Sequence, residues 1–176
     1  MRSLESRDEV LSFLVELGAP EHLLRHLELV GEVAALLVEE LRGLGVSFDA
    51  RLVELGAAIH DAGKIVHPEE MSGGGNEHEP AGERFMLEQG VDPRLARFCL
   101  SHSRYQELEV SFEELVVALA DTLWKGRRQP ELELEVIDQV ARKLGVERWD
   151  VFPRLDACFE EIAAQGDERL GRSLGG

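Results

Sequence analysis

Apolar residues recur along the chain every three or four positions, and no stretch alternates with period two over the length of a strand, so the pattern predicts an all-α protein. Ser6 with Glu9 reads as a capping box ahead of Val10, Phe13, Leu14 and Leu17, and Gly18 ends that first helix. Pro20 opens a second, whose Leu23, Leu27, Val30, Ala34, Leu37 and Leu41 lie on one face and which stops at Gly43 and Gly45. Asp49 caps a third over residues 52–62, apolar nearly all round and therefore central. Residues 68–76, with Pro68 and Gly73-Gly74-Gly75, have the turn chemistry of a long flexible loop, the kind that serves as a lid or binding loop. Helices are predicted again over 80–89, over 93–102, from a Ser111/Glu114 capping box to about Lys125, and over 131–144 and 149–165. Residues 169–176 read as a frayed tail, which leaves a single-domain helical bundle over 1–168.

Composition narrows the class. A 44% hydrophobic fraction in 176 residues suffices for a buried core, whereas 35 acidic against 19 basic residues give a formal charge of −16. Such a surface repels nucleic-acid polymers and anionic membranes, and no basic cluster offsets it locally. The charged N-terminal residues and the shortness of the apolar runs predict a chain with neither secretory signal nor membrane span, hence a cytoplasmic protein. Cys99 and Cys158 fall inside apolar periodicity without CxxC spacing and read as small buried hydrophobes.

Polar residues that break the apolar pattern carry the chemistry, because burying an ionisable group is costly unless it is paired or metal-bound. His60 and Asp61 end the apolar helix Leu55-Gly56-Ala57-Ala58-Ile59, and Asp121 lies between Val117 and Trp124 on its own helix. His102 lines up with Leu95 and Cys99, and His26 shares an edge with Val30 and Val33. Any one histidine is explained by a bond to a backbone carbonyl, and Asp121 by a pair with Arg25 or Lys125. Jointly they suggest a metal as the counter-charge.

At His60-Asp61, followed by Gly63 and Lys64, the chain resembles the HD-domain metal-dependent phosphohydrolase superfamily, and His26, His60-Asp61 and Asp121 stand in that superfamily's order over residues 20–125. The two last helices lie outside the resemblance. His78 and His102 match the extra histidines of its dinuclear members. The resemblance implies an HD-like helical fold, one ion held by His26, His60, Asp61 and Asp121, and a second held by His78 and His102 with Asp61 bridging. Imidazole and carboxylate without thiolate suit Fe, Mn, Co, Ni or Zn.

The activity implied is hydrolysis of a nucleotide or another small phosphorylated molecule by a metal-bound hydroxide, since coordination lowers the pKa of water to about 7 in favourable cases. Asp61 and Lys64 would be catalytic, Lys64 as a phosphate contact matching HD-x-x-K; Arg104, Lys125, Arg127 and Arg128 are candidates for the pocket mouth. Trp124 is placed as core or as a base-stacking wall, and His22, at a helix start, as facing solvent. The same ligand set is compatible with a di-iron oxygenase, and the fold also with a non-catalytic sensor or a purely structural helical dimer.

Overall fold

Helix boundaries follow local chemistry along most of the chain. The computed structural model describes residues 1–174. Helix α1 (Arg7–Glu16) starts at Ser6, whose hydroxyl accepts from Glu9 N at 3.2 Å; the Glu9 carboxylate accepts from Glu5 N, not from Ser6 N as a full capping box requires. Helix α2 (Glu21–Gly43) buries the whole predicted face, Leu23 to Leu41, with Pro20 as its N-cap. Helix α3 (Ala50–Ile59) is capped by Asp49, whose carboxylate accepts from Leu52 N at 3.0 Å. Helix α8 (Phe112–Leu123) begins with the predicted Ser111/Glu114 box in both directions.

Helix α3 is the axis of the core, with α1, α2, α6, α7 and α8 packed around it. Here α6 is Pro93–Ala96 and α7 is Phe98–Ser101. Helices α9 (Pro130–Leu144) and α10 (Arg148–Ala164) pair with each other and close the far side of α8. Among the described residues there is no strand, only an isolated bridge between Arg2 and Val91, and no helix is long and apolar enough to cross a membrane.

Five expectations are corrected, each for a local reason. The third helix stops at Ile59 instead of 62: at Asp61 the backbone turns (φ −103°, ψ 17°) into a 3-10 turn over Ala62–Ile65. Residues 93–102 form two short helices jointed at Arg97, where Leu100 N reaches back only to Arg97 O. Helix α8 ends at Leu123, short of Lys125, because Gly126 turns to φ 84° and Arg127 N closes the helix end on Thr122 O at 3.2 Å. Residues 68–76 contain a helical turn, α4 (Glu70–Gly73), and the next helix, α5 (His78–Glu88), starts at His78.

The tail is helical as well. Helix α11 (Gly166–Leu174) occupies 169–174, and only residues 175–176 of the expected frayed segment lie outside the described residues. Its anchors are charged. Arg172 makes a two-pronged pair with Glu32 of α2, 2.9 Å on each arm, and buried Arg169 donates to Ile162 O at 2.7 Å and Trp124 O at 3.4 Å. Replacing Arg169 with alanine strips two buried carbonyls of a donor. The expected outcome is a loss of about 1–3 kcal/mol in urea unfolding, with faster limited proteolysis inside 166–174.

Candidate metal centre

Five helices and the turn after α3 deliver six ligand-type side chains to one point. His26 comes from the first third of α2, His60 from the C-cap of α3 and Asp61 from the turn that follows. His78 opens α5, His102 is the C-cap of α7 and Asp121 sits in the last turn of α8. Close backbone approach sets the distances. A Cβ on Gly63 would lie 1.8 Å from His78 O, and one on Gly82 2.9 Å from Gly63 Cα, so α5 reaches Asp61 only because both positions lack a side chain.

The six groups form two clusters, His26 with His60 and Asp121, and His78 with His102 and Asp61; within each, the ligand atoms lie within 4.8 Å of one another. Asp61 faces both. Its Oδ2 is 2.9 Å from His26 Nε2 and 3.7 Å from His60 Nε2, while Oδ1 is 3.4 Å from His78 Nε2 and 3.2 Å from His102 Nε2. Asp121 Oδ1 is 3.3 Å from His60 Nε2 and 3.6 Å from His26 Nε2. Lys64 Nζ is 3.1 Å from Asp61 Oδ2.

Three of the four imidazoles are held from behind by groups that can only accept. Nδ1–H donates to Ala57 O from His60 (2.8 Å), to Glu70 Oε1 from His78 (2.8 Å) and to Phe98 O from His102 (3.1 Å). In each neutral ring the free lone pair is then on Nε2, aimed at carboxylate oxygens. His26 Nε2 is buried and has, among the described residues, no hydrogen-bond partner of acceptable geometry, although Asp61 Oδ2 lies 2.9 Å away. Lone pairs turned towards carboxylates are repulsive unless a cation or protons lie among them, and the oriented imidazoles match the outer-shell arrangement of metal sites. Nitrogen and oxygen donors in this set fit a divalent ion of the Fe, Mn, Co, Ni or Zn group.

Without a metal, protons fill the same role. Burial alone would push His60 down, but the Asp61 and Asp121 carboxylates outweigh it and raise His60 to about 9. Burial would likewise raise Asp61, yet the charge of His60 and the contacts from His102, His26 and His78 hold it well below the ordinary carboxylate range. Asp121 is lowered against its own burial, chiefly by His60.

The remaining candidates separate. Lys64, Lys125 and His26 line a cavity of about 250 Å³ with His22, Met71 and Trp124, and Ser173 of α11 completes its wall. His22 is exposed, as expected, and also borders this cavity; the Trp124 ring is buried edge-on to His26, 5.0 Å between centroids. Arg104 and Arg128 are not free to receive a ligand. Arg104 Nε is 2.8 Å from Glu79, which also takes the Ser103 hydroxyl, so this pair ties the His102 turn to α5. Arg128 forks onto Glu133 and Asp156, on the α9/α10 side. Glu70 and Glu79, both buried, are the site residues that sequence reasoning missed. Both lie in a stretch of polar, glycine and proline residues without apolar spacing, so periodicity offers no sign that these two turn inward.

A raised folded-state pKa means that the stability contributed by His60 is fully present below its unfolded value of about 6.5 and is lost as pH rises through about 9. Chelator-treated protein is therefore expected to lose up to about 3 kcal/mol over that window, read by urea unfolding at several pH values. Metal requires neutral imidazole, so added Mn2+ should flatten this slope and release protons on binding.

Comparison with known proteins agrees with the geometry. The family model described as HD domain matches residues 23–144. An uncharacterised protein of Methanocaldococcus jannaschii is 29% identical over 154 residues, covering 78% of this chain and 86% of that one. The tRNA (cytidine(56)-2'-O)-methyltransferase of Thermoplasma volcanium is 27% identical over 152 residues, 78% of this chain but only 41% of the methyltransferase. No solved structure matches significantly. With the family match running from α2 to the end of α9 and enclosing all six converging side chains, the chain belongs to the HD-domain family.

Proposed function

We propose that the protein is a metal-dependent phosphohydrolase acting on a nucleotide or another small phosphorylated molecule, in the cytoplasm. The HD-domain superfamily includes such hydrolases. The observation that carries the reading is Asp61, which presents one oxygen to each cluster beside a cavity whose lining, among the described residues, includes two lysines and no carboxylate. Two divalent ions held by His26, His60, Asp61, His78, His102 and Asp121 would supply Lewis acidity and a water of lowered pKa.

The chain's own residues do the rest. Lys64 offsets the Asp61 carboxylate at 3.1 Å and would offer a cation to an entering phosphoryl oxygen. Lys125 and His22 stand farther along the same wall and would orient the non-bridging oxygens or a second anionic group. Trp124 presents a rigid wall that keeps water from the His26 side. A cavity of about 250 Å³ admits a phosphoryl group and a small moiety, and anything larger must extend into solvent. A tRNA substrate is named for the methyltransferase relative alone; a charge of −16 disfavours RNA as the partner here. Support for the cytoplasmic setting is that Cys99 and Cys158 are both free thiols.

The test is a scan of metals against nucleotides and phosphomonoesters, with dioxygen uptake followed in parallel. Phosphate release without dioxygen consumption is expected. Asp61→Ala should lose bound metal and at least about 100-fold in kcat/KM while keeping its far-UV dichroism. Lys125→Ala should raise KM severalfold with little change in kcat. Wild-type turnover by Asp61→Ala, or dioxygen-dependent turnover by the native protein, sinks the hydrolase reading.

A further inference from the structure

The glycine-rich segment after the 3-10 turn folds around a buried carboxylate. Glu70, on α4, accepts from His78 N at 2.8 Å, from His78 Nδ1 at 2.8 Å and from Glu77 N at 3.2 Å. Its residue exposure is 7%, and every one of these donors lies seven or eight positions further along the chain. The intervening glycines make the return possible. Gly74 has φ 71° and Gly75 φ 126°, and a Cβ on Gly75 would sit 2.6 Å from Glu70 Oε2. A side chain there is both conformationally strained and in the way of the carboxylate.

We infer that Glu70 is a positioning residue that ties the 70–77 segment to the second cluster, so that occupation of the His78/His102/Asp61 position and ordering of that segment are one coupled event. Glu70 takes Nδ1–H of His78 and so turns Nε2 towards Asp61 Oδ1, 3.4 Å away, while its bond to the His78 backbone fixes where α5 begins. The first cluster has no such dependence. His60 is set by Ala57 O inside α3, and His26 and Asp121 stand on the long helices α2 and α8. Loss of Glu70 therefore weakens one position and spares the other, a selectivity that general destabilisation does not produce. Helix α4 also brings Met71 to the cavity wall, so the same segment shapes the entrance next to Lys64.

The inference builds on the two-cation reading above, and its test separates the two. Full-length wild type, Glu70→Gln, Glu70→Ala and His78→Ala are stripped with chelator and titrated with Mn2+ by calorimetry. The spin-coupled signal of a manganese pair is followed, together with hydrogen exchange of residues 70–77. Wild type is expected to bind two ions, to show the coupled signal and to gain protection in 70–77. Glu70→Ala should weaken one of the two sites by about 10–100-fold, leave the other in place, and lose both the coupled signal at limiting Mn2+ and the gain in protection. Glu70→Gln keeps one acceptor oxygen and near-native volume, so it should fall between and decides the matter if the alanine variant does not fold. His78→Ala should match Glu70→Ala in stoichiometry. Two sites of wild-type affinity in both Glu70 variants, or equal weakening of the two sites, overturns the coupling; wild type that binds no Mn2+ overturns the metal reading itself.

Discussion

A carboxylate at 3% exposure, with four imidazole nitrogens within 3.7 Å of its oxygens, is the constraint around which this molecule is arranged. Taking such a group out of water costs several kcal/mol unless positive charge surrounds it. Lys64 supplies one fixed charge. The remainder must come from protons on the histidines or from cations among them, and acceptors behind three of the rings have already turned the lone pairs inward. Where protons serve, His60 stays charged to about pH 9; where metal serves, the same rings are neutral ligands. The fold tolerates Asp61 in its interior because the same four imidazoles can supply either protons to it or ligand nitrogens to a cation beside it.

That arrangement makes backbone proximity as important as ligand identity. His60 and Asp61 are neighbours in sequence, yet they face different partners because the chain leaves α3 between them and tightens into a 3-10 turn. Gly63 and Gly82 then let α5 approach to contact distance, and Gly56 does the same for α7, since a Cβ there would meet the Phe98 ring at 2.5 Å. A side chain at any of the three would separate ligands that it does not itself touch.

This explains which parts were legible beforehand. The buried face of α2, the caps at Asp49 and Ser111, and the polar intrusions His60, Asp61, His102 and Asp121 all register against helical periodicity, because a helix in a small domain declares its buried face through spacing. Glu70 leaves no such mark. It lies among Pro68, Glu69 and Ser72, in a stretch whose glycines signal flexibility when their use is to wrap a carboxylate. The arginines are illegible for a related reason: Arg128 finds Asp156, Arg104 finds Glu79 and Arg172 finds Glu32 across separations that no local pattern encodes. Residues 169–174 read as a tail because their anchors are charged residues on a short polar segment, and apolar periodicity does not see them.

The division of labour among cations follows from the same pairings. Guanidinium forks match carboxylates two atoms at a time, whereas an ammonium is a compact charge on a flexible stem. In a chain this acidic, arginines near the site are drawn onto glutamates and aspartates and become structural. The lysines are Lys64, Lys125 and Lys143; Lys143 stacks on Phe112 and bonds Ser47 O, and the other two line the cavity. Surface charges are screened beyond about 8 Å at physiological ionic strength, so the net repulsion acts on extended polyanions that must lie along the surface. A small phosphorylated molecule inside the cavity, as proposed, would meet the two lysines at short range instead. On the proposed function, the acidity of the whole and the local basicity of one cavity would together act as a size filter on anions.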